Sequence, residues 1–206
     1  MPHCLKMKDM SDSFTIHKQD IPSLPMRMLA VGRTGSGKSS VALGNLLLRK
    51  AFYRDDFLPE NIFIFSGSLN GDMKLQTIVE ELDIPPSNLF NSFNESEAHI
   101  IYDDVLDKIL SNGRKYLISI ITLNQRMTQL STNAREQASA LILWSSTNKQ
   151  LDLVEQDFNY LPGPNAKRRF IDMVKRHTKG MHDFIVFDLG KEEMYRDMEF
   201  KPIKDI

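Results

Sequence analysis

The most distinctive chemical motif in the sequence is a glycine-rich segment that begins at Gly32 and ends in Lys38-Ser39. It matches G-x-x-x-x-G-K-[ST] at every fixed position, between a predicted strand and a predicted helix. Glycines let such a loop turn tightly, so that backbone N–H groups and the positive end of the helix dipole face phosphate oxygens. Lys38 would contact the β- and γ-phosphates of a nucleotide, and the Ser39 hydroxyl would ligate Mg²⁺.

This segment predicts a nucleotide-binding site, the alternative being a purely structural glycine-rich turn. The residues predicted to contact the nucleotide are Gly32, Arg33, Thr34, Gly35, Ser36, Gly37, Lys38, Ser39 and Ser40.

Two further sets of polar residues follow apolar runs of strand length. Asp103 and Asp104 come directly after one such run, which suits Asp103 as the carboxylate on the metal side and Asp104 as the base that polarises the attacking water. The alternative is that the pair is a helix N-cap with an acid in the first turn, a stabilising feature without chemistry. Gln125 follows the next run, where a polar side chain can lie between the two carboxylates and sense the γ-phosphate.

Strand and helix patterns alternate along the chain and would bring these residues together. Strands are predicted at 26–31, 61–65, 99–103, 116–123, 140–144 and 184–187, and helices at 39–50, at 73–82 and, in two pieces, at 149–178. The strands are apolar on both faces, as in a parallel sheet that is covered by helices on both sides. We therefore predict an α/β fold with three layers and a mainly parallel central sheet.

Length and composition allow one domain and exclude several classes of protein. The chain has 206 residues, 41% of them hydrophobic, and a formal net charge of −1, which argues against coating of nucleic acid by bulk charge. Its single cysteine, Cys4, can form neither an internal disulfide nor a zinc cluster by itself. No aliphatic run is long enough to span a membrane. Residues 1–25 are predicted to be an arm outside the core, and residues 26–206 to be the P-loop domain.

The combination of motifs resembles a known family. The phosphate loop, Asp103-Asp104 after an aliphatic strand, and Gly113-Arg114 followed by the run into Asn124-Gln125 are similar to viral DNA-packaging ATPases of the FtsK–HerA superfamily, of the poxvirus, giant-virus and virophage type. The resemblance covers about residues 26–190. Many members of the superfamily have Asp-Glu where this chain has Asp-Asp, and the segment between Asp104 and Arg114 is short for the family.

The resemblance implies a RecA-like (ASCE) ATPase core that uses ATP and Mg²⁺. It further implies a homo-oligomeric ring, a pentamer or hexamer, that drives double-stranded DNA into a preformed capsid and contacts capsid vertex proteins. Such a protein is expected in the host cytoplasm or a virus factory, or associated with the virion. One subunit of a ring can supply an arginine to the neighbouring active site. Arg114 is the first candidate, followed by Arg135 and Arg126, and a surface salt bridge is the alternative for each.

Other P-loop proteins provide the competing hypotheses. Asn148-Lys149 followed by Asp152 is similar to the guanine-recognition motif of GTPases, although the aspartate comes one residue late and no Asp-x-x-Gly follows the third strand. A nucleotide kinase would need a lid with several arginines, and a non-catalytic nucleotide-dependent scaffold remains a further alternative.

Residues 167–179 form the one dense basic stretch of the sequence. At helical spacing Arg168, Asp172, Lys175 and Lys179 share one face. That face is interpreted as solvated, with a DNA-backbone or subunit contact as the alternative.

Overall fold

The computed structural model describes residues 15–91 and 117–204. Its strands are β1 Arg27–Val31, β2 Ile64–Phe65, β3 Leu89–Phe90, β4 Ile120–Asn124, β5 Ala140–Trp144, β6 Phe184–Asp188 and β7 Tyr195–Arg196. Five of them form one sheet in the order β4-β1-β5-β6-β7, and β2 and β3 form a separate parallel pair. The predicted α/β fold is confirmed, while the predicted strand at 99–103 lies outside the described residues.

Helical segments connect these strands. They are a π-helical segment Ser39–Asn45 continued by α1 Leu46–Leu48, then α2 Met73–Glu81, α3 Thr132–Glu136, α4 Asn148–Phe158 and α5 Ala166–His177. Short 3₁₀ turns occur at Pro59–Asn61, Pro86–Asn88 and Met127–Gln129. The predicted helices at 73–82 and in two pieces within 149–178 are confirmed. The predicted strand at 61–65 shrinks to two residues, because a proline-led 3₁₀ turn occupies its beginning.

The phosphate-loop strand lies in the middle of the parallel part of the sheet. β1 pairs in parallel with β4 on one edge and with β5 on the other. The remaining pairs, β5 with β6 and β6 with β7, are antiparallel. A single helix after β5 would return the chain to the amino edge of the sheet, where another parallel strand could begin. Here two helices, α4 and α5, lie between β5 and β6. The chain therefore re-enters the sheet beside the carboxyl end of β5, and β6 runs antiparallel to β5.

The sheet is buried on both faces, which gives the three predicted layers. On one face, side chains such as Leu29, Leu141 and Phe187 pack against α4 and α5 through Val154 and Phe170. Successive strand residues point to opposite faces, so their neighbours form a second cluster on the other side. That cluster joins Met28, Ala30, Ile142 and Val186 to Ala42 and Leu46 of the helix that follows the phosphate loop.

Part of the predicted arm belongs to the core. Ile21 and Leu24 are buried in the second cluster, and Leu24 pairs with Ile16 through two backbone hydrogen bonds. The hydroxyl of Tyr53, itself buried, donates a 2.5 Å hydrogen bond to the carbonyl oxygen of Pro22. The expectation that residues 1–25 lie outside the core is therefore wrong for Ile21 and Leu24. In the sequence, polar residues and prolines surround these two apolar residues, which makes them hard to recognise as part of the core.

Candidate functional site

The phosphate loop, residues Gly32–Ser39, follows β1 at the carboxyl edge of the sheet. The Gly32 N–H donates a 3.1 Å hydrogen bond to the carbonyl oxygen of Asn124, which ties the start of the loop to the end of β4. Gly35 and Gly37 have φ angles of +80° and +101°, a region that other residues rarely adopt. Two glycines of the loop, one of them at a fixed position of the motif, thus allow the backbone turn that the sequence pattern predicts.

The first glycine of the loop is required for a different reason. A Cβ atom at Gly32 would lie 2.8 Å from Ser36 Oγ and 2.8 Å from Trp144 Cβ. Both neighbours are buried, so neither can move aside into solvent. Gly32 therefore allows close packing of the phosphate loop against the end of β5.

Backbone carbonyl groups of the phosphate loop position the side chain of Lys38. Its ammonium donates hydrogen bonds of 2.6 Å to the carbonyl oxygen of Gly32 and 2.9 Å to that of Arg33. Burial lowers the pKa of Lys38, because partial loss of water disfavours its charged form. The side chain is therefore a cation held within the turn, where phosphate oxygens would compete with the two carbonyls for its protons.

The helix after the loop begins with π-type turns, not with the α-helix that the sequence pattern predicts. The π-helical residues are Ser39–Asn45, and regular α-helix follows only for Leu46–Leu48. π-Helical turns are rare and are frequently found at functional sites. Ser40 Oγ accepts a 2.8 Å hydrogen bond from Lys74 Nζ, which fixes this segment to the first turn of α2.

Ser39 offers the oxygen ligand that Mg²⁺ requires. Its side chain is partly exposed at the start of the π-helical segment, and hard cations of this size take one or two protein oxygens together with phosphate and water oxygens. Asp103, the second predicted ligand, lies outside the described residues, as does Asp104. Within the described ranges, no group of three His, Cys, Asp or Glu side chains could hold a metal by itself.

The end of β4 places two amide side chains beside the loop, and only one of them was predicted. Gln125 lies just beyond the strand with an exposed side chain, and its N–H donates to Gln129 Oε1. Asn124 is the last residue of β4 and pairs with Val31 at the end of β1. Its Nδ2 is buried and has no hydrogen-bond partner within the described residues. Asn124 is thus a donor near the start of the phosphate loop that no sequence motif indicates.

The candidate arginines differ sharply in their environments. Arg135 Nε lies 2.7 Å from Asp157 Oδ2, with only 11% and 17% of the two side chains exposed, and Arg135 Nη1 donates to the carbonyl oxygen of Leu130. This ion pair joins α3 to α4, so Arg135 does form a salt bridge, but the pair is mostly buried and is not the surface salt bridge of the alternative. Arg126 is exposed just beyond β4, and Arg114 lies outside the described residues.

A turn between α5 and β6 covers one side of the phosphate loop, and no motif in the sequence predicted it. The 179–182 turn, named here for its residues, contacts the loop at two points. His182 Nδ1 donates a 3.2 Å hydrogen bond to the carbonyl oxygen of Ser36. Met181 Cε lies 3.2 Å from the position of a Cβ at Gly35. The Gly180 N–H donates to Asp183 Oδ2, which closes the turn on itself.

The basic stretch lies mainly on the exposed side of α5. Lys167 pairs with Asp152 at 3.1 Å across the α4–α5 contact, and Arg168 pairs with Asp172 at 3.7 Å along the helix. Both pairs are at the surface, where such contacts contribute about 0–1 kcal/mol. Arg168, Asp172, Lys175 and Lys179 are all exposed, as the predicted solvated face requires.

Comparison with other proteins supports the fold. No family model matches the chain, and no curated protein matches it in sequence. Among solved structures, the chain is similar to the genome packaging NTPase B204 from Sulfolobus turreted icosahedral virus 2 in complex with AMP, with a TM-score of 0.57 and 14% identity over 87% of this chain and 98% of that one. The complex of the same NTPase with AMPPCP gives a TM-score of 0.51 and 13% identity over 81% and 93%.

At this identity the similarity establishes a common α/β fold. It includes the mainly parallel central sheet that carries the phosphate loop, as predicted. In the described part of the chain, no helix is both long and apolar enough to cross a lipid bilayer.

Proposed function

We propose that this protein is an ATP-hydrolysing motor subunit that translocates double-stranded viral DNA into a preformed capsid. The observation that carries the proposal is the phosphate loop itself. Gly35 and Gly37 have the positive φ angles that the turn needs, and Lys38 is held inside the turn at the carboxyl edge of the parallel part of the sheet. The shared fold with a genome packaging NTPase supports the finer assignment.

Each predicted site residue has a task in the proposed reaction. Backbone N–H groups of the phosphate loop and the ammonium of Lys38 bind the β- and γ-phosphates and offset the negative charge that spreads over the transferred group. Ser39 and Asp103 would hold Mg²⁺, which supplies charge neutralisation at the phosphate oxygens. Asp104 accepts a proton from the attacking water, and Gln125 orients that water or senses the γ-phosphate.

Asn124 is a further donor, which belongs to none of the sequence motifs. Its buried Nδ2 lies at the end of β4, and Asn124 also binds the N–H of Gly32 through its backbone carbonyl. We expect this Nδ2, which has no partner within the described ranges, to donate to a phosphate oxygen or to the water that Gln125 orients. Asn124 and Gln125 would therefore share the orienting of water and the sensing of the γ-phosphate that were expected of Gln125 alone.

The proposed assembly is a homo-oligomeric ring, a pentamer or hexamer, in which an arginine of one subunit completes the site of the next. Arg114 is the first candidate for this role. Arg135 is disfavoured, because its guanidinium is engaged with Asp157 and Leu130. Double-stranded DNA and the capsid vertex are the proposed partners, and the host cytoplasm or virus factory is the proposed location.

A GTPase-like switch is less compatible with the geometry. Asn148 and Lys149 begin α4, and Asp152 lies within the same helix. The carboxylate of Asp152 pairs with Lys167 of α5 and is thereby directed toward that helix. Guanine recognition would need this carboxylate for the base, so its pairing with Lys167 argues against the GTPase hypothesis.

The decisive experiment measures hydrolysis of ATP and GTP with and without double-stranded DNA, at several protein concentrations. We expect ATP turnover that DNA stimulates. Lys38→Ala should lose turnover and bind ATP weakly, because the charge on the phosphates is removed. Asp104→Asn should bind ATP but not hydrolyse it, and Asp103→Asn should need more Mg²⁺. Normal turnover by folded Lys38→Ala would overturn the phosphate-loop assignment, and turnover indifferent to DNA would overturn the motor.

A further inference from the structure

The outer side of α5 concentrates positive charge that the rest of the chain does not share. Residues 166–179 contain six lysines and arginines and one acid, Asp172, so this segment has a formal charge of +5. The whole chain has a formal charge of −1, which leaves −6 for all other residues. Phe170, Met173 and Val174 bury the inner side of the helix against the sheet, and five of the six cationic side chains are exposed. The charge therefore lies on the side of α5 that faces away from the core.

The stability of the helix does not explain this arrangement. Cations are favourable in the last turn of a helix, where they meet the negative end of its dipole, and Lys175 and Arg176 lie there. The first turn favours acids for the same reason. Yet α5 has no acid in its first turn and begins with Lys167, Arg168 and Arg169. The helix dipole thus accounts for one end of the basic stretch and opposes the other.

Contacts with the rest of the protein account for only part of the first turn. Lys167 pairs with two acids of α4, and Arg169 donates to a backbone carbonyl of the preceding loop. The side chain of Arg168 is 85% exposed, and its ion pair with Asp172 is long, at 3.7 Å, and lies within the same helix. The ammonium of Lys175 makes no ion pair within the described residues. Arg168 and Lys175 are therefore available to an external anion.

The composition of this side of α5 distinguishes between classes of anionic partner. The core of a protein–protein interface is enriched in aromatic residues and methionine. None of the large apolar side chains that are exposed in the described part of the chain lies on α5. Single-stranded nucleic acid is bound by aromatic side chains on which its bases stack, but Phe170, the aromatic residue of α5, is buried. A row of cations without a stacking surface suits the phosphate backbone of a duplex.

We propose that the α5 face, formed by Arg168, Lys175 and Lys179, contacts the phosphate backbone of double-stranded DNA. The inference rests on the proposed function, since duplex DNA is the partner proposed there, and it adds the surface that holds the duplex. Arg168 and Lys175 are two helical turns apart, about 10 Å along the helix axis, which corresponds to about three phosphate steps of one strand. Phosphate contacts carry no sequence information, so they allow a motor to hold any sequence.

The experiment measures the affinity for a short fluorescent DNA duplex by anisotropy, over a range of salt concentrations. Arg168→Gln/Lys175→Gln should weaken binding about tenfold, because two charge-assisted contacts are lost. The slope of log K against log salt should become shallower by about 2, roughly one for each lost phosphate contact. Asp172→Asn should instead tighten binding, because it removes the one acid of residues 166–179. A merely structural role of these side chains would not produce opposite effects on DNA affinity.

Lys50→Gln/Lys201→Gln is the matched control, because it removes the same charge from two other exposed lysines. Lys50 follows α1 and Lys201 follows Phe200, and both α1 and Phe200 pack on the sheet face opposite α5. We expect this control to keep nearly the affinity and the salt slope of the wild type. Melting temperatures of all variants establish that they are folded.

The outcomes separate this inference from the proposed function. If the wild type hydrolyses ATP but binds no duplex, the proposed motor is overturned and this inference with it. If the wild type binds duplex, and Arg168→Gln/Lys175→Gln matches the control in affinity and salt slope, the inference alone fails. It also fails if a single strand of equal length binds more tightly than the duplex. Unchanged DNA affinity with a loss of self-association in sedimentation would make the α5 face a contact between subunits and would equally overturn the inference.

Discussion

His182 Nδ1 lies 3.2 Å from the carbonyl oxygen of Ser36, although the two residues are 146 positions apart in the chain. The contact joins the segment after α5 to the crest of the phosphate loop. Because a carbonyl only accepts, Nδ1 must carry the proton. The imidazole thereby restrains the peptide bond between Ser36 and Gly37. Gly37 must keep its φ of +101° for the N–H groups of the loop to face a phosphate. We therefore expect His182 to act as a positioning residue for the proposed nucleotide site.

The first prediction tests this restraint. His182→Leu should weaken ATP binding about three- to tenfold, the usual net value of one hydrogen bond, without a comparable loss of kcat at saturation. His182→Asn should restore most of the affinity, because its amide nitrogen can donate from a similar position. His17→Leu, at an exposed histidine, serves as the control. Equal affinities for His182→Leu and the wild type would show that the contact does not order the loop.

A second prediction contrasts two glycines. Gly32→Ala should lower the free energy of unfolding by about 1–3 kcal/mol, since the added methyl group would lie 2.8 Å from buried Trp144 Cβ. Gly44→Ala should instead raise stability by about 0.5–1 kcal/mol. Gly44 is helical, and a Cβ there meets nothing closer than 3.8 Å. Denaturant unfolding of both variants provides the measurement, and changes of the same sign would contradict the packing argument.

These contacts show why only part of the site follows from the sequence. β5 has the predicted bounds because its apolar run is complete in itself and bordered by polar residues. β4 begins at Ile120, not at 116, because its ladder partner begins at Arg27. The 179–182 turn and its contact with Ser36 depend on how α4 and α5 return the chain, and no local pattern contains that information.

The choice between Asn124 and Gln125 has the same origin. Both are amides at the end of a predicted strand, so residue type alone does not separate them. Strand alternation and the pairing of Asn124 with Val31 decide that Asn124 is the residue with the buried side-chain nitrogen. A one-residue uncertainty in the end of a strand is enough to exchange the two roles. The phosphate loop was predictable because its residues are consecutive.

A third prediction concerns Arg135. Arg135→Ala should destabilise the fold by about 1.5–3 kcal/mol, since a charge-assisted hydrogen bond is lost and Asp157 keeps a mostly buried charge. Arg126→Ala should leave the melting temperature nearly unchanged, because Arg126 is exposed. Differential scanning calorimetry of both variants tests the contrast. A stable but inactive Arg135→Ala protein would return Arg135 to the list of arginines that act on a neighbouring site.

A fourth prediction follows from the lowered pKa of Lys38. Only the ammonium form of Lys38 attracts phosphate. The protein should therefore bind ATP with its full affinity at pH values below this lowered pKa, and the affinity should decline as the pH rises through it. The decline should begin below the ordinary lysine pKa of 10.5. Titrations with ATP from pH 8 upward measure the effect. Lys38→Met should bind weakly and show a flat profile, and a decline that this variant shares would assign the titration to another group.

The last prediction concerns the arginine supplied by a neighbouring subunit. Arginines of this kind contribute roughly 10³–10⁵ in rate where they act, so ATP turnover per subunit should rise with protein concentration as rings assemble. Arg114→Ala and Lys38→Ala should each be inactive alone. Mixed rings should regain turnover, because an Arg114→Ala subunit keeps an intact Lys38 and can lie beside a Lys38→Ala subunit that keeps Arg114. Mixing Arg114→Ala with the double variant Lys38→Ala/Arg114→Ala is the matched control and should restore nothing. Flat activity over a wide dilution range, together with no recovery on mixing, would exclude Arg114 and direct the same test to Arg126.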